Sequence, residues 1–408
     1  MEHSRYDFIF AGFGLAGMSL LHAMGQYPAF KEKRVLVIDL DAKKDNDRTW
    51  SFWSEGIPEL ESIVHKSWRN GYVYDRQGQK IELELEKYRY FTIRGGDYYQ
   101  LIHEHLNQFP NVTFVQDRIQ TVDPDGTVHC DRGRFRGDLV FNSFFLRESM
   151  QPDDDTVFLW QHFKGWFVRT ATPAFDPERF LLMDFRASHT DRSDFFYVLP
   201  FSQHTALIEF TEFSRDFYSQ PEYNAKIRKY ITDYLKLPEF EVVEEEFNAI
   251  PMTDALLGDL RTERVIRIGS MAGYIKASSG YCFTRTLEKN QALAREVMTT
   301  GKASPATVQS AGRFLAYDRA MLNLMASGKL HGWEMMPPLF RKLGGDKVFA
   351  FLDERTRFPD EVAVMATAPK KMAFIKFYLE RGVRTLQNAF SRRQTTPGIQ
   401  MIEQASAR

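Results

Sequence analysis

Cysteine is scarce in this chain. Cys130 and Cys282 are the only two in 408 residues, too few for a disulfide framework, and they suggest a reducing cytoplasm. Excess charge is missing as well: a net charge of −1 excludes the broad basic face of a general nucleic-acid binder. No run of about 18 apolar residues occurs, so no membrane-crossing helix is expected. The nearest approach, residues 6–24, is interrupted by Asp7, Ser19, His22 and three glycines. The opening Met1-Glu-His-Ser-Arg5 leads straight into an apolar segment, and no signal peptide is expected. Internal repeats and low-complexity linkers are absent too. Aromatic residues, by contrast, are abundant. With 35 Phe and 14% aromatics, the chain has either a Phe-rich core or a pocket for a large apolar ligand. Its length exceeds the usual single core, so two domains are expected.

The most informative pattern is Gly12-Phe-Gly14-Leu-Ala-Gly17. It follows the apolar run Tyr6–Ala11, read as a buried strand, and opens Leu15–Met24, read as a helix. A second apolar run, Val35–Ile38, ends in Asp39. Strand, glycine turn, helix, strand and acid come in the order that a dinucleotide site needs. Gly12 permits the tight turn, Gly14 lets a pyrophosphate approach the backbone, and Gly17 lets the helix pack on the strand. The helix N-terminus offers free N–H groups to phosphates, and Asp39 is placed to accept hydrogen bonds from a ribose. An N-terminal site suits FAD, but the motif alone does not separate FAD from NAD.

Further along, residues 71–91 alternate in hydrophobicity and read as a hairpin turning near Gln77-Gly78. Asp97–Gln108 reads as a helix, and Val112–Val115 and Asp138–Phe141 as short strands. Aromatic strands follow: Thr156–Phe163, Gly165–Thr170, Phe180–Phe185, Phe195–Leu199 and Thr205–Phe210. Pro221–Leu235 reads as a helix, Phe240–Ala249 as a strand, and Val265–Ile268 returns to a buried strand before a glycine turn. Leu287–Thr299 is a further helix, and the chain beyond about residue 310 is mostly helical. The expected organisation is α/β. A Rossmann-like nucleotide domain covers 1–70, 92–150 and 262–310; an antiparallel β-sheet substrate domain, covering 71–91 and 151–261, is inserted in it; the helical region is 311–408. This is the pattern of p-hydroxybenzoate hydroxylase-like flavoproteins.

Asn46-Asp47-Arg48-Thr49-Trp50-Ser51-Phe52-Trp53 follows the second strand. Arg48 can fork onto pyrophosphate oxygens, or the segment is a solvated loop with an aromatic cluster. Taken with Met183-Asp184-Phe185-Arg186, Phe196-Tyr-Val-Leu-Pro200, Ile208-Glu209-Phe210-Thr211, Ile250-Pro-Met252 and Gly269–Tyr281, it resembles the bacterial lycopene β-cyclases. Met335-Met-Pro-Pro338 and Phe351-Leu-Asp-Glu354 extend the resemblance into the helical region.

The resemblance implies an acid–base reaction on an uncharged polyene. A proton is placed on C2 of the terminal double bond. The C1 cation is attacked by the internal double bond, and loss of the C6 proton leaves a β-ring; both ends of lycopene give β-carotene by way of γ-carotene. Reduced FAD serves without net redox change, and NADPH or NADH supplies its electrons. An alkene is a very weak base, so the acid must stay protonated in an apolar pocket. Glu209, among apolar neighbours on a strand, is the expected acid. Relatives carry a second carboxyl beside it; here that position is Phe210, and Glu212 lies at an odd spacing that turns it to the other face. Asp184 is the second catalytic candidate, or else a structural partner of Arg186. Gly269, Ser270, Gly273 and Gly280 are expected along the flavin, with Lys276 facing its N1. A flavin monooxygenase or reductase acting on another isoprenoid or aromatic is the alternative on the same fold, and a non-catalytic nucleotide-binding protein a third.

Between residues 370 and 393, Lys370, Lys371, Lys376, Arg381, Arg384, Arg392 and Arg393 face one acid, Glu380. Met372, Ile375, Leu379, Val383, Leu386 and Phe390 form one apolar stripe at helical spacing. Such a helix either lies on a membrane surface, where lycopene dissolves, or packs on the protein.

Overall fold

The computed structural model describes residues 5–144, 156–237, 239–255, 261–308 and 312–380. Among them the N-terminal apolar runs build one parallel core. Arg5–Ala11 lies between Val35–Asp39 and Arg134–Asn142, and Val112–Gln116 flanks Val35–Asp39. Val265–Arg267 returns to this sheet beside the end of Arg134–Asn142, which reunites the two ends of the nucleotide domain. Strands buried on both faces read as continuous apolar runs, as Phe8-Ile-Phe-Ala11 and Val35–Ile38 do. The helix Leu15–Gly25 crosses one face and packs against Phe283–Thr300, where the Asn290 amide donates to the Ala16 carbonyl and the Ser19 hydroxyl, both at 2.7 Å.

The second sheet has seven strands in the order Glu241–Thr253, Phe158–Arg169, Thr205–Ser214, Asp194–Pro200, Arg179–Asp184, Asn70–Tyr74 and Lys80–Glu84. The two expected strands around residue 164 are one continuous strand, Phe158–Arg169. Alternation assigns the two faces. Phe167, Phe195, Tyr197, Leu199 and Leu207 point to one core, and Trp166, Phe196, Val198, Ile208 and Phe210 to another, covered by the helix Gln220–Asp233. The first of these faces looks toward the nucleotide domain and the C-terminal helices Gly312–Ala326, Gly332–Leu352 (kinked at Gly344, φ +76°) and Phe358–Thr367.

A third, three-stranded sheet joins Thr49–Ser54, Arg89–Arg94 and Val64–Trp68. It corrects two expectations. The Asp-Arg-Thr-Trp segment runs into a strand, and Arg89–Arg94 belongs here and not to the hairpin sheet. Thr-Trp-Ser-Phe-Trp-Ser is rich in β-favouring aromatics, and Phe52 stacks on Phe283 at 4.2 Å, pinning this sheet against the nucleotide domain.

Candidate active site

The glycine turn is built as its spacing requires. Gly12 has φ +98°, and a Cβ there would strike the Ser143 hydroxyl; a Cβ on Gly17 would strike the Gly12 carbonyl. The helix Leu15–Gly25 therefore starts directly on the turn. No side chain caps its N-terminus, which leaves the first N–H groups free for an anion. Asp39 accepts from the Phe13 N–H at 2.6 Å and the Asp41 N–H at 2.9 Å, so its carboxylate is fixed at the groove edge. A groove of about 410 Å³ brings Gly12, Gly14, Asp39, Arg48, Gly269 and Ser270 together. Arg48 is held by Asp47 at 2.6 Å, and Asp47 also takes the Tyr99 hydroxyl at 2.7 Å. Gly269, at φ +66°, sits against Ala16; Gly273, at φ +67°, closes the short turn after it and lies off the groove.

A second pocket, of about 120 Å³, opens from the groove at Thr49, Trp50, Phe163, Glu246 and Ile250. Glu209 lies in it. Gly165, on the central strand, pairs with Glu209 on one side and with Glu246 on the other, so both carboxyls rise on the same face with no side chain between them. The Thr211 hydroxyl donates to Glu209 at 2.9 Å, and the Thr49 hydroxyl to Glu246 at 2.8 Å. Burial raises the Glu209 carboxyl well above the usual range, and the neighbouring Glu246 raises it further, while Thr211 pulls the other way. Burial pushes Glu246 up to about 7, against the pull of the Thr49 hydroxyl and Arg94. Around the pair the Tyr90 hydroxyl meets those of Tyr197 at 2.6 Å and Tyr281 at 3.2 Å. Gly280, at φ +75°, borders the pocket, and Gln161 stands where its Cβ would be.

The third space is an apolar cavity of about 620 Å³. It meets the carboxyl pocket at Gln161, Phe195, Ser279 and Tyr281 and runs past Trp53, Met335 and Phe349. Its far rim is formed by Val362, Met365, Ile375 and Tyr378, all exposed. Gln161 Oε1 and Ser279 Oγ are buried at the inner junction without a hydrogen-bond partner among the described residues. The groove's glycine cradle and bare helix terminus fit the phosphates of a dinucleotide, and these two orphan atoms are available to a polar ring system placed beyond it.

Two further expected site residues stand elsewhere. Asp184 is fully buried beneath the helix Gln220–Asp233, held by Arg186 at 2.5 Å and by the Tyr230 hydroxyl at 2.6 Å. An irregularity between Leu181 and Asp184 shifts the strand register, and the carboxyl faces that helix, away from the cavity. Lys276 is buried off the groove, its ammonium 2.8 Å from Asp318 and 3.4 Å from Glu354, which also takes Arg285 at 2.7 Å. It is part of an internal ion cluster. Glu212 faces the helix side, bonded to Arg192 at 3.0 Å and Tyr218 at 2.7 Å. Glu246 was not foreseen. It ends the run Glu244-Glu245-Glu246, in which Glu244 pairs with Arg94 and Glu245 with Lys164, and three consecutive acids read as a solvated edge. Only strand register singles it out.

The model of the lycopene cyclase proteins matches residues 7–375, nearly the whole chain. The chain belongs to the lycopene cyclase family. No curated protein matches at a significant level. Among solved structures, the fold of this family member is similar to a geranylgeranyl bacteriochlorophyll reductase-like protein from Thermoplasma acidophilum (TM-score 0.60, 11% identity, 92% of this chain and 99% of that one). It is also similar to a flavin-dependent brominase (0.58, 11%, 93% and 100%). A third likeness is to a p-nitrophenol 4-monooxygenase from Pseudomonas putida (0.52, 12%, 92% and 97%). At these identities the likeness is one of fold: that of flavin-dependent monooxygenases, with an α/β core, several sheets and a helical C-terminal part.

Proposed function

We propose that this family member cyclises the linear ends of lycopene to β-rings, giving β-carotene by way of γ-carotene. The observation that carries the reading is a buried carboxyl pair between a dinucleotide groove and an apolar cavity. Glu209 holds a proton where water cannot level it, and the cavity accepts an uncharged chain up to that point. Tyr90, Tyr197 and Tyr281 surround the pair with ring faces that favour a developing cation. In this reading Gly12, Gly14, Asp39, Arg48, Gly269 and Ser270 hold FAD, reduced by NADPH or NADH. When bound, the reduced flavin supplies negative charge near the cation. The chain's own residues do the rest. Glu209 gives the proton, Phe195 and Trp53 position the polyene, and the sheet excludes water.

The test is production in cells that accumulate lycopene, followed by pigment analysis. Loss of lycopene with appearance of β-carotene is expected; unchanged lycopene would remove the cyclase reading, and an oxygenated or reduced product would favour the monooxygenase or reductase. Glu209→Gln should abolish conversion while the purified protein keeps its flavin.

We further propose that the cavity rim rests on a membrane surface. Exposed Val362, Met365 and Ile375 line it, and exposed Phe358, Met372 and Leu379 lie on the same helical segments, which also carry Lys371 and Lys376 and follow Lys370. No helix among the described residues is long and apolar enough to cross a membrane. The remaining basic and apolar positions of that stripe, Arg381 to Arg393, lie outside the described residues.

A further inference from the structure

Two carboxyls rise beside Gly165 on one face of the sheet, and only Glu209 has a task so far. Glu246 opens onto both the carboxyl pocket and the nucleotide groove. Gly165 is what lets the two converge: a Cβ there would press on Glu246 Cγ at 3.1 Å and on Leu207 Cδ1 at 2.9 Å. The surroundings of the pair differ. Glu209 has one hydroxyl donor, Thr211, and apolar walls. Glu246 has the Thr49 hydroxyl and feels the charge of Arg94, which outweighs that of Glu244, to which Arg94 is tied at 2.5 Å. Arg48, Asp47 and Asp39 line the same groove; Tyr90, Tyr197, Tyr281 and Cys282 face the pair from the pocket walls. A cation and a donor on one side favour the ionised form there, so when one proton is shared it resides on Glu209. Paired acids whose environments differ in this way divide into an acid and a base.

We propose that Glu209 and Glu246 form one proton-sharing pair, with Glu209 protonating C2 of the chain end and Glu246 removing the proton from C6. This rests on the cyclase reading above. The bookkeeping closes. The Glu209 O–H bond breaks as the C2–H bond forms. The internal π pair makes the C1–C6 bond, and the cation moves to C5. The C6–H bond breaks toward Glu246, and its electrons become the C5=C6 double bond. The proton then passes from Glu246 to Glu209, and both carboxyls are as they began. No electrons enter or leave.

The experiment uses the full chain loaded with FAD, reduced with dithionite, and given lycopene in phosphatidylcholine vesicles. Glu246→Gln keeps an acceptor for Thr49 and should fold. Its conversion is expected to fall roughly 100-fold or more, with the flavin absorbance unchanged. Wild-type rates should rise with pH through the titration of Glu246 and fall at higher pH as Glu209 loses its proton. Glu246→Gln should lose the rising limb, and Glu246→Asp should recover part of the rate with that limb restored. A slower Glu246→Gln enzyme with the wild-type pH profile overturns the proposal, because a merely structural glutamate leaves the profile in place. The pair is also read without substrate. In infrared pH titrations of the flavin-loaded protein, Glu246→Gln removes the charge that raises Glu209 and should move the remaining buried carboxyl down by about one unit or more. An unmoved carboxyl overturns the pair even if lycopene is converted. A moved carboxyl in a protein that leaves lycopene untouched upholds the pair and refutes the cyclase reading.

Discussion

At the scale of single residues, the proposed function rests on carboxyls kept out of water. Glu209 and Glu246 hold protons more tightly folded than unfolded, so the native state binds more protons than the unfolded one. Stability then falls as pH rises, because ∂ΔG/∂pH follows the protons of the unfolded state minus those of the native state. For Glu246 the window runs from its ordinary value of 4.5 to about 7. The melting temperature of Glu246→Gln should therefore gain on wild type across that window and stay level above it; a constant difference in thermal scans over the same pH series would contradict this. Glu209 was legible in the sequence because an acid among apolar neighbours is conspicuous. Glu246 was not, because its two acidic neighbours camouflage it. The glycine fingerprint was legible to the atom: Gly12, Gly14, Gly17 and Asp39 stand where strand–turn–helix spacing puts them, since each is fixed by local backbone geometry.

At the scale of elements, parity along a strand decides which residues face the carboxyl pocket. The strand Thr205–Ser214 keeps strict alternation, so Glu209 and Glu212 part company as their odd spacing requires. The strand Arg179–Asp184 does not, and one register shift carries Asp184 to the helix side. A bulge leaves no dependable mark in composition, which is why the sequence left Asp184 open between chemistry and a pairing with Arg186. The structure makes Asp184 a packing partner of Arg186 and Tyr230. Asp184→Asn should lower stability by about 1–3 kcal/mol in denaturant unfolding yet leave the rate of lycopene conversion near wild type; a rate loss beyond what lost folded protein explains would return Asp184 to the chemistry. Helices and long strands were readable from periodicity, to within a few residues: Gly95–Leu106, Gln220–Asp233 and Phe283–Thr300 match the expected segments. The three-stranded sheet was not, because its strands are joined only by long-range pairing.

At the scale of the molecule, three spaces lie end to end: a polar groove, a carboxyl pocket and an apolar cavity whose rim carries exposed Val362, Met365 and Ile375, with exposed Phe358, Met372 and Leu379 on the same helical segments. Replacing rim side chains is a cleaner probe than removing the segment, because Ala373 and Phe374 pack on the core. Met372→Asp with Leu379→Asp should shift the protein from the floating to the soluble fraction in liposome flotation while its melting temperature holds. Undiminished flotation would remove this rim as the membrane contact.

The cavity has its rim at one end and the proton at the other. On the cyclase and membrane readings proposed above, a long chain with two identical ends would be threaded one end at a time, like a cord pushed into a sleeve. To have its second end finished it would have to withdraw, turn over in the lipid and be threaded again. Each double-ended product would then be the record of two separate visits, with the half-finished molecule belonging to the membrane between them.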